Sequence, residues 1–292
     1  MRIYRPHGTQ TCYALAFTPE GGRIASCSLD GTTVLTDLTT NETVWRRHTR
    51  LVHGSIAISP DGKFVATGPH WSAHAIIRDI RNGNHLRILP EFRGGKVTFD
   101  PSNGNFWRVS ESMYGTPTLA GFKPNSWEQI PDIALPFRAC STIDISSKGL
   151  LTAGTEYRGF FVASSTTLQP TWVFNNVLPS TPTCLKFSPD AQHIAVVVRK
   201  DLYVFRLFQR EPVLHHSIPD RFYQTVAWSP DGQHLIAGGN DKIVRVFHFP
   251  TKQIKNEFAW RIGDVMDVAY SPDGLSAAAA GRSGKIVVWD ID

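Results

Sequence analysis

A short phrase returns seven times along the chain: an apolar alternating run, a turn of the Ser-Pro-Asp-Gly kind, then a second apolar run. It reads AFTPEGGRIAS from Ala16, AISPDGKFVAT from Ala57, TFDPSNGNFWR from Thr98 and DISSKGLLTAG from Asp144. It returns as KFSPDAQHIAV from Lys186, AWSPDGQHLIA from Ala227 and AYSPDGLSAAA from Ala269. The residues just before each turn are Phe17, Ile58, Phe99, Ile145, Phe187, Trp228 and Tyr270, spaced 41, 41, 46, 42, 41 and 42 residues apart. A period of about 40 to 45 residues built from short strands and turns is that of a four-stranded propeller blade, not of a helical repeat. The 292 residues hold about seven such units, so the expected architecture is all-β, a seven-bladed propeller of antiparallel blades spanning residues 1–292 as one domain.

One unit shows how a blade forms. In the sixth, TVAWS alternates, PDG turns, HLIAGG returns, NDK turns again, and IVRVFHF and QIKNEFAW supply two further strands. Gly and Asp at the turns provide positive φ and local side-chain hydrogen bonds. A single blade cannot cover both its faces, so blades must stack, and a ring removes the exposed ends. The seventh unit begins at about Met266 and runs only to its third strand, IVVWDID, while RIYRP stands spare before the first. Arg2 to Arg5 are therefore expected to pair beside Val287 to Asp290 as the fourth strand of the last blade.

The phrases YSPDGLSAAAAGRSGKIVVWDI, FTPEGGRIASCSLDGTTVLTDL and WSPDGQHLIAGGNDKIVRVF resemble the WD40 repeat, and the resemblance extends over essentially the whole chain. It is strong for fold and nearly silent on function. Only Trp289-Asp290 is a true Trp-Asp pair; Thr36-Asp37, Arg78-Asp79, Phe205-Arg206 and Phe247-His248 stand in the matching places. The family's Gly-His is mostly missing. In the family that His joins the turn Asp and the Trp in a hydrogen-bond chain, so most blades here are expected to rely on packing instead. The markers Phe17, Ile58, Phe99, Ile145, Phe187, Trp228 and Tyr270, with Trp289, are expected to be structural, filling the gaps between blades.

Composition adds bounds. Hydrophobic residues make up 41% and charged residues 19%, which is ordinary for a globular fold without low-complexity tracts. The formal charge of +5 mildly favours acidic partners. The N-terminal MRIYRPHGTQTC lacks an apolar signal core and no run reaches membrane-spanning length, so a cytoplasmic location is expected. Cys12, Cys27, Cys140 and Cys184 show no Cys-x-x-Cys spacing and read as small buried thiols; a bond between Cys12 and Cys27 on neighbouring strands is the alternative.

Catalytic patterns are missing from the sequence: it holds no His-Glu-x-x-His, Gly-x-Ser-x-Gly, P-loop or Cys/His cluster. His215-His216 is an adjacent pair whose side chains would point to opposite faces of a strand. Asp61, Asp190, Asp231 and Asp273 are explained by their turns. No enzyme, metal or cofactor is expected. A binding surface is the better reading, on the face where the turns between second and third strands meet the loops leading into each first strand. Those turns carry Trp71, Tyr114, Tyr157, Arg158, Arg199, Lys200 and Arg282, and the first strands begin with Tyr13, Gln224 and Met266. Aromatic and Arg side chains in turns are the types that anchor interfaces, although capping of a blade gap also accounts for the aromatics and a solvated loop face for the basic residues. Alternation sends Tyr13, Gln224 and Met266 toward the channel mouth, and Cys12, Tyr223 and Val265 into the blade stack.

The expected function is a non-catalytic propeller acting as a protein-interaction scaffold through this face. The partner is expected to be one or more proteins, with an acidic contact surface, held by a monomer with no membrane association. Recognition of phosphorylated peptide or nucleic acid by the basic loops is the second reading, with nucleic acid disfavoured, and a propeller hydrolase or lactonase the third.

Overall fold

The computed structural model describes residues 1–49, 51–69, 73–92, 95–110, 118–134, 139–155, 157–167 and 169–291. They form seven four-stranded antiparallel sheets, and within each the strands pair in chain order except at the closing sheet. The first strands of blades 1 to 7 are Cys12–Phe17, His53–Ile58, Val97–Phe99, Ala139–Ile145, Cys184–Phe187, Tyr223–Trp228 and Val265–Tyr270. Each stacks on the next around a central channel, and each unit is completed by three strands running outward. Blade 6 continues through His234–Gly239 and Val244–His248 to Gln253–Phe258, close to the bounds its alternation predicts.

The recurring turn is held by its own side chains. In blade 2 the Ser59 hydroxyl donates to Asp61 Oδ1 at 2.7 Å, while Ser59 Oγ accepts the Phe64 N–H at 2.9 Å. The same lock recurs at Ser188 with Asp190, Ser229 with Asp231 and Ser271 with Asp273. Gly62, Gly232 and Gly274 then take positive φ, which costs glycine little; blade 5 uses Ala191 there, at φ 54°.

Second and third strands are covered on both sides and fill the gaps between blades. One cluster joins blade 5 residues such as Val197 and Leu202 to Tyr223, Val226, Trp228 and Phe247 of blade 6. Another joins Ile236 and Val246 of blade 6 to Val268, Tyr270 and Trp289 of blade 7. Phe17, Phe99, Ile145, Phe187, Trp228 and Tyr270 are buried, whereas Ile58 is half-buried at the edge of its cluster.

Closure occurs as the sequence predicts, with a small change of register. The strand Arg2–Tyr4 lies antiparallel beside Ile286–Asp290, pairing Arg2 with Val288, Ile3 with Val287 and Tyr4 with Ile286. The expected partners extended to Asp290; instead, burial of Tyr4 sets the register, with its hydroxyl donating to the Leu38 carbonyl at 3.2 Å. Arg2 Nη1 donates to the same carbonyl at 2.7 Å. Pro6, which has no N–H, stands just beyond the strand. Across the seam, the Leu15 N–H donates to Asp267 Oδ2 at 3.0 Å and the Thr11 hydroxyl to the Arg282 carbonyl at 3.2 Å.

Candidate functional site: the channel mouth

Four first strands contain a bulge at one register position, between Cys12 and Ala14, His53 and Ser55, Tyr223 and Thr225, and Val265 and Asp267. A bulge adds an unpaired residue and re-aims it. The added residues are Tyr13, Gly54, Gln224 and Met266, and all four line one cavity of about 640 Å³ at the channel mouth. Their neighbours Cys12, Tyr223 and Val265 are buried in the stack. Lys96, the Ser180–Thr183 stretch, Arg199, Phe222 and Tyr223 complete the wall.

Several of these groups are held in place. The Arg199 carbonyl accepts the Tyr223 N–H at 2.8 Å and the Lys200 carbonyl accepts the Ile218 N–H at 3.0 Å, which ties the blade 5 turn to the loop leading into blade 6. The Tyr223 hydroxyl bonds His216 Nδ1 at 2.9 Å, and the Arg245 guanidinium lies 5.8 Å from its ring centroid. Burial chiefly pushes the Tyr223 phenol upward from its ordinary pKa. Phe222 is 48% exposed, which leaves an aromatic ring facing solvent at the rim.

The other predicted loop residues lie farther out. Tyr157, Arg158, Lys200 and Arg282 are exposed around the same face but do not line the cavity. Arg282 is occupied, its Nη1 donating to Asp264 Oδ2 at 3.1 Å. Trp71 and Tyr114 lie outside the described residues. The structure thus brings together Tyr13, Arg199, Gln224 and Met266 from the predicted set.

Lys96 was not predicted. It stands three residues before Phe99, the position Asp267 occupies before Tyr270, so the repeat register was the signal that could have found it. A second feature also emerges only with the ring. The residue just before each marker faces the channel; it is Ala16, Ala57, Thr98, Ala227 or Ala269 in five blades, but Asp144 and Lys186 in adjacent blades 4 and 5. Lys186 Nζ donates to Asp144 Oδ1 at 2.8 Å, and Asp144 Oδ2 accepts the Phe187 N–H at 2.9 Å. Burial would lower the Lys186 amine, yet the Asp144 carboxylate outweighs it and holds the amine above its ordinary value. The Lys186 side chain keeps 42% exposure to the channel, so water screens the pair and its main effect is to tie two blades together.

Polar networks tie the strands together within blades 1, 5 and 6. His7, preceded by Pro6 rather than Gly, bonds Thr32 Oγ1 and Ser26 Oγ at 2.9 Å each and lies 3.3 Å from Asp30 Oδ2. Burial opposes ionisation of Asp30, but the bonds from His7 and Thr32 prevail and hold its carboxyl well below the usual range. In blade 6, Arg245 spans Asp241 at 2.5 Å and Glu257 at 2.8 Å. In blade 5, Asp201 accepts from Ser217 and pairs with His215 Nε2 at 2.9 Å. Among the described residues, no group of three or more His, Cys, Asp or Glu side chains converges as a metal site.

The model of the family "WD domain, G-beta repeat" matches residues 1–37, 216–248 and 259–290. Over 115 residues the chain is 30% identical to UBP9-binding protein bun62 of Schizosaccharomyces pombe, covering 36% of this chain and 20% of that protein. Over 70 residues it is 31% identical to small ribosomal subunit protein RACK1 of Caenorhabditis elegans, covering 23% of this chain and 22% of that one. The matches thus span about a fifth of each relative's length. The β-propeller domain of Myceliophteria thermophila Cps50 (Swd1) superposes with a TM-score of 0.84 over 100% of this chain and 99% of the other, at 16% identity, a likeness of fold. The chain is a seven-bladed β-propeller whose first, sixth and seventh blades match the WD40 repeat.

Proposed function

We propose that this propeller is a non-catalytic scaffold that holds a protein partner at the channel mouth and the loops around it. The observation carrying this reading is the cavity itself: Tyr13, Phe222 and Met266 give apolar contact, Lys96 and Arg199 give charge, and residues of separate blades meet on one side. Aromatic, Met and Arg side chains are the types enriched at interface centres, and the cavity's concavity lets one partner segment touch many blades. Tyr157, Arg158, Lys200 and Arg282 form the rim, with Trp71 and Tyr114 added from sequence. Rim cations favour a partner with an acidic contact surface, chiefly by speeding encounter. That one relative is named for binding another protein accords with this reading. The propeller works as a monomer in the cytoplasm on this reading. The buried free thiols of Cys12, Cys27 and Cys184 suit a reducing compartment, and no helix among the described residues is long and apolar enough to cross a membrane.

The test is capture from native lysate by the full chain, by a mouth variant with Met266→Ala and Arg199→Ala, and by a lower-face variant with Lys63→Ala. Proteins lost from the mouth variant and kept by the lower-face variant support the proposal. Equal recovery by all three chains refutes it.

A further inference from the structure

We infer that the mouth cavity takes an anionic side chain, phosphoryl or carboxylate, presented on an extended segment of the partner. This rests on the reading that the mouth is the binding face, and goes further by naming what enters it.

The cavity's charge is one-sided. Lys96 and Arg199 are its cations, and none of its lining residues is an Asp or Glu. Around the mouth four of the described carboxylates are already engaged, while Asp220, exposed two residues before Phe222, has no ion pair among the described residues and does not line the cavity. Asp264 holds Arg282, Asp241 holds Arg245, Asp30 holds His7 and Thr32, and Asp201 holds His215 and Ser217. Deeper in the channel Asp144 takes Lys186, while Asp267 accepts the Leu15 N–H and the Thr225 hydroxyl. Lys96 and Arg199, by contrast, have no ion pair with any described residue.

The site is also shaped in advance. The Arg199 backbone is pinned to Tyr223, so the root of its side chain is fixed before any ligand arrives. A fixed root removes part of the freedom that binding would otherwise cost. Gly54 leaves room on the side of blade 2, where the equivalent bulges carry Tyr13, Gln224 and Met266. Guanidinium and ammonium donors answer a phosphoryl or carboxylate group, while Phe222 and Met266 provide apolar contact for the residues flanking it. A cationic partner side chain finds no free carboxylate in this wall.

The experiment measures binding of the full chain to four pools of short peptides, degenerate except for a central phosphoserine, glutamate, serine or lysine. One or both anionic pools should be retained about tenfold more strongly than the serine pool, the scale of a charge-assisted hydrogen bond. The lysine pool should be weakest, and the preferred anionic pool identifies the source of the charge. Lys96→Met with Arg199→Met should abolish the preference, and Lys96→Arg with Arg199→Lys should restore part of it at an unchanged melting temperature. Retention of the serine or lysine pool equal to that of both anionic pools overturns the inference, as does a preference that survives the double Met variant. If the mouth variant still loses its captured proteins while no anionic preference is found, the binding face stands and the anionic ligand falls.

Discussion

Replacing Trp228 with Ala tests the packing that builds the ring. Trp228 is 8% exposed, and its ring meets Phe249 edge-on at a centroid distance of 4.9 Å. Its indole N–H donates across the gap to the Lys186 carbonyl at 3.1 Å, so one side chain both fills the space between blades 5 and 6 and stitches their inner strands. An indole burying about 200 Å² at about 25 cal/mol per Å² contributes about 5 kcal/mol. Measured large-to-small losses of about 3 to 5 kcal/mol bracket the same scale once partial collapse is allowed. Trp228→Phe keeps most of the apolar contact but leaves the Lys186 carbonyl without its donor, a loss of about 1 kcal/mol. Lys63→Ala removes an exposed turn ion pair and should change stability by less than about 0.5 kcal/mol. Urea denaturation followed by far-ultraviolet circular dichroism measures all three. A Trp228→Ala protein within about 1 kcal/mol of the parent, or a Phe variant as damaged as the Ala variant, would show that this residue does not hold the two blades together.

Removing residues 1–6 should strip the outer strand from blade 7, with Tyr4 and its bond to Leu38, and lower stability by about 3 kcal/mol or more; size-exclusion chromatography should then show self-association, and an unchanged monodisperse melt refutes it. His53, fully buried, has its pKa lowered to about 4 by burial and then by the Arg78 charge. The unfolded chain then binds the extra proton between about pH 6.5 and 4, so stability from this residue is full above that window and declines through it as pH falls, by on the order of 3 kcal/mol. Thermal melts of parent and His53→Gln across the window check this, the variant losing that part of the slope. Arg78 stands where the repeat usually has Trp; it is completely buried, with Nε and Nη2 lacking partners among the described residues, and burial followed by Arg47 lowers its pKa to about 10. Arg78→Met should therefore stabilise the fold by about 1 to 2 kcal/mol and raise the His53 pKa, measured by melting and by NMR titration; a destabilised variant contradicts it.

The parts of the fold legible in the sequence are those written by local chemistry. The Ser-Pro-Asp-Gly turn reports itself because Ser59 and Asp61 bond within their own loop, and alternation places Tyr13, Gln224 and Met266 apart from Cys12, Tyr223 and Val265. The bulges that aim those three residues have no sequence signature, since the extra residue is set by pairing with the neighbouring strand. Lys96 escaped notice because its blade is divergent and its first strand spans only Val97–Phe99. Asp144 and Lys186 each look like an isolated polar exception until the ring sets their blades side by side. His7 was hidden by Pro6, which broke the Gly-His pattern while leaving the imidazole able to reach Ser26 and Thr32. The closing strand was legible as a count of strands, but its register depended on where Tyr4 is buried.

Hydrogen–deuterium exchange of the propeller with and without a captured partner tests the central claim, that the channel mouth is the binding face. Slowed exchange is expected at Ser180 to Thr183, Arg199, Lys200, Phe222 to Gln224 and Met266, with the turns between first and second strands on the opposite face, at Asp61, Asp190, Asp231 and Asp273, unchanged. Protection confined to those turns, with the mouth exchanging as in the free chain, would contradict that claim.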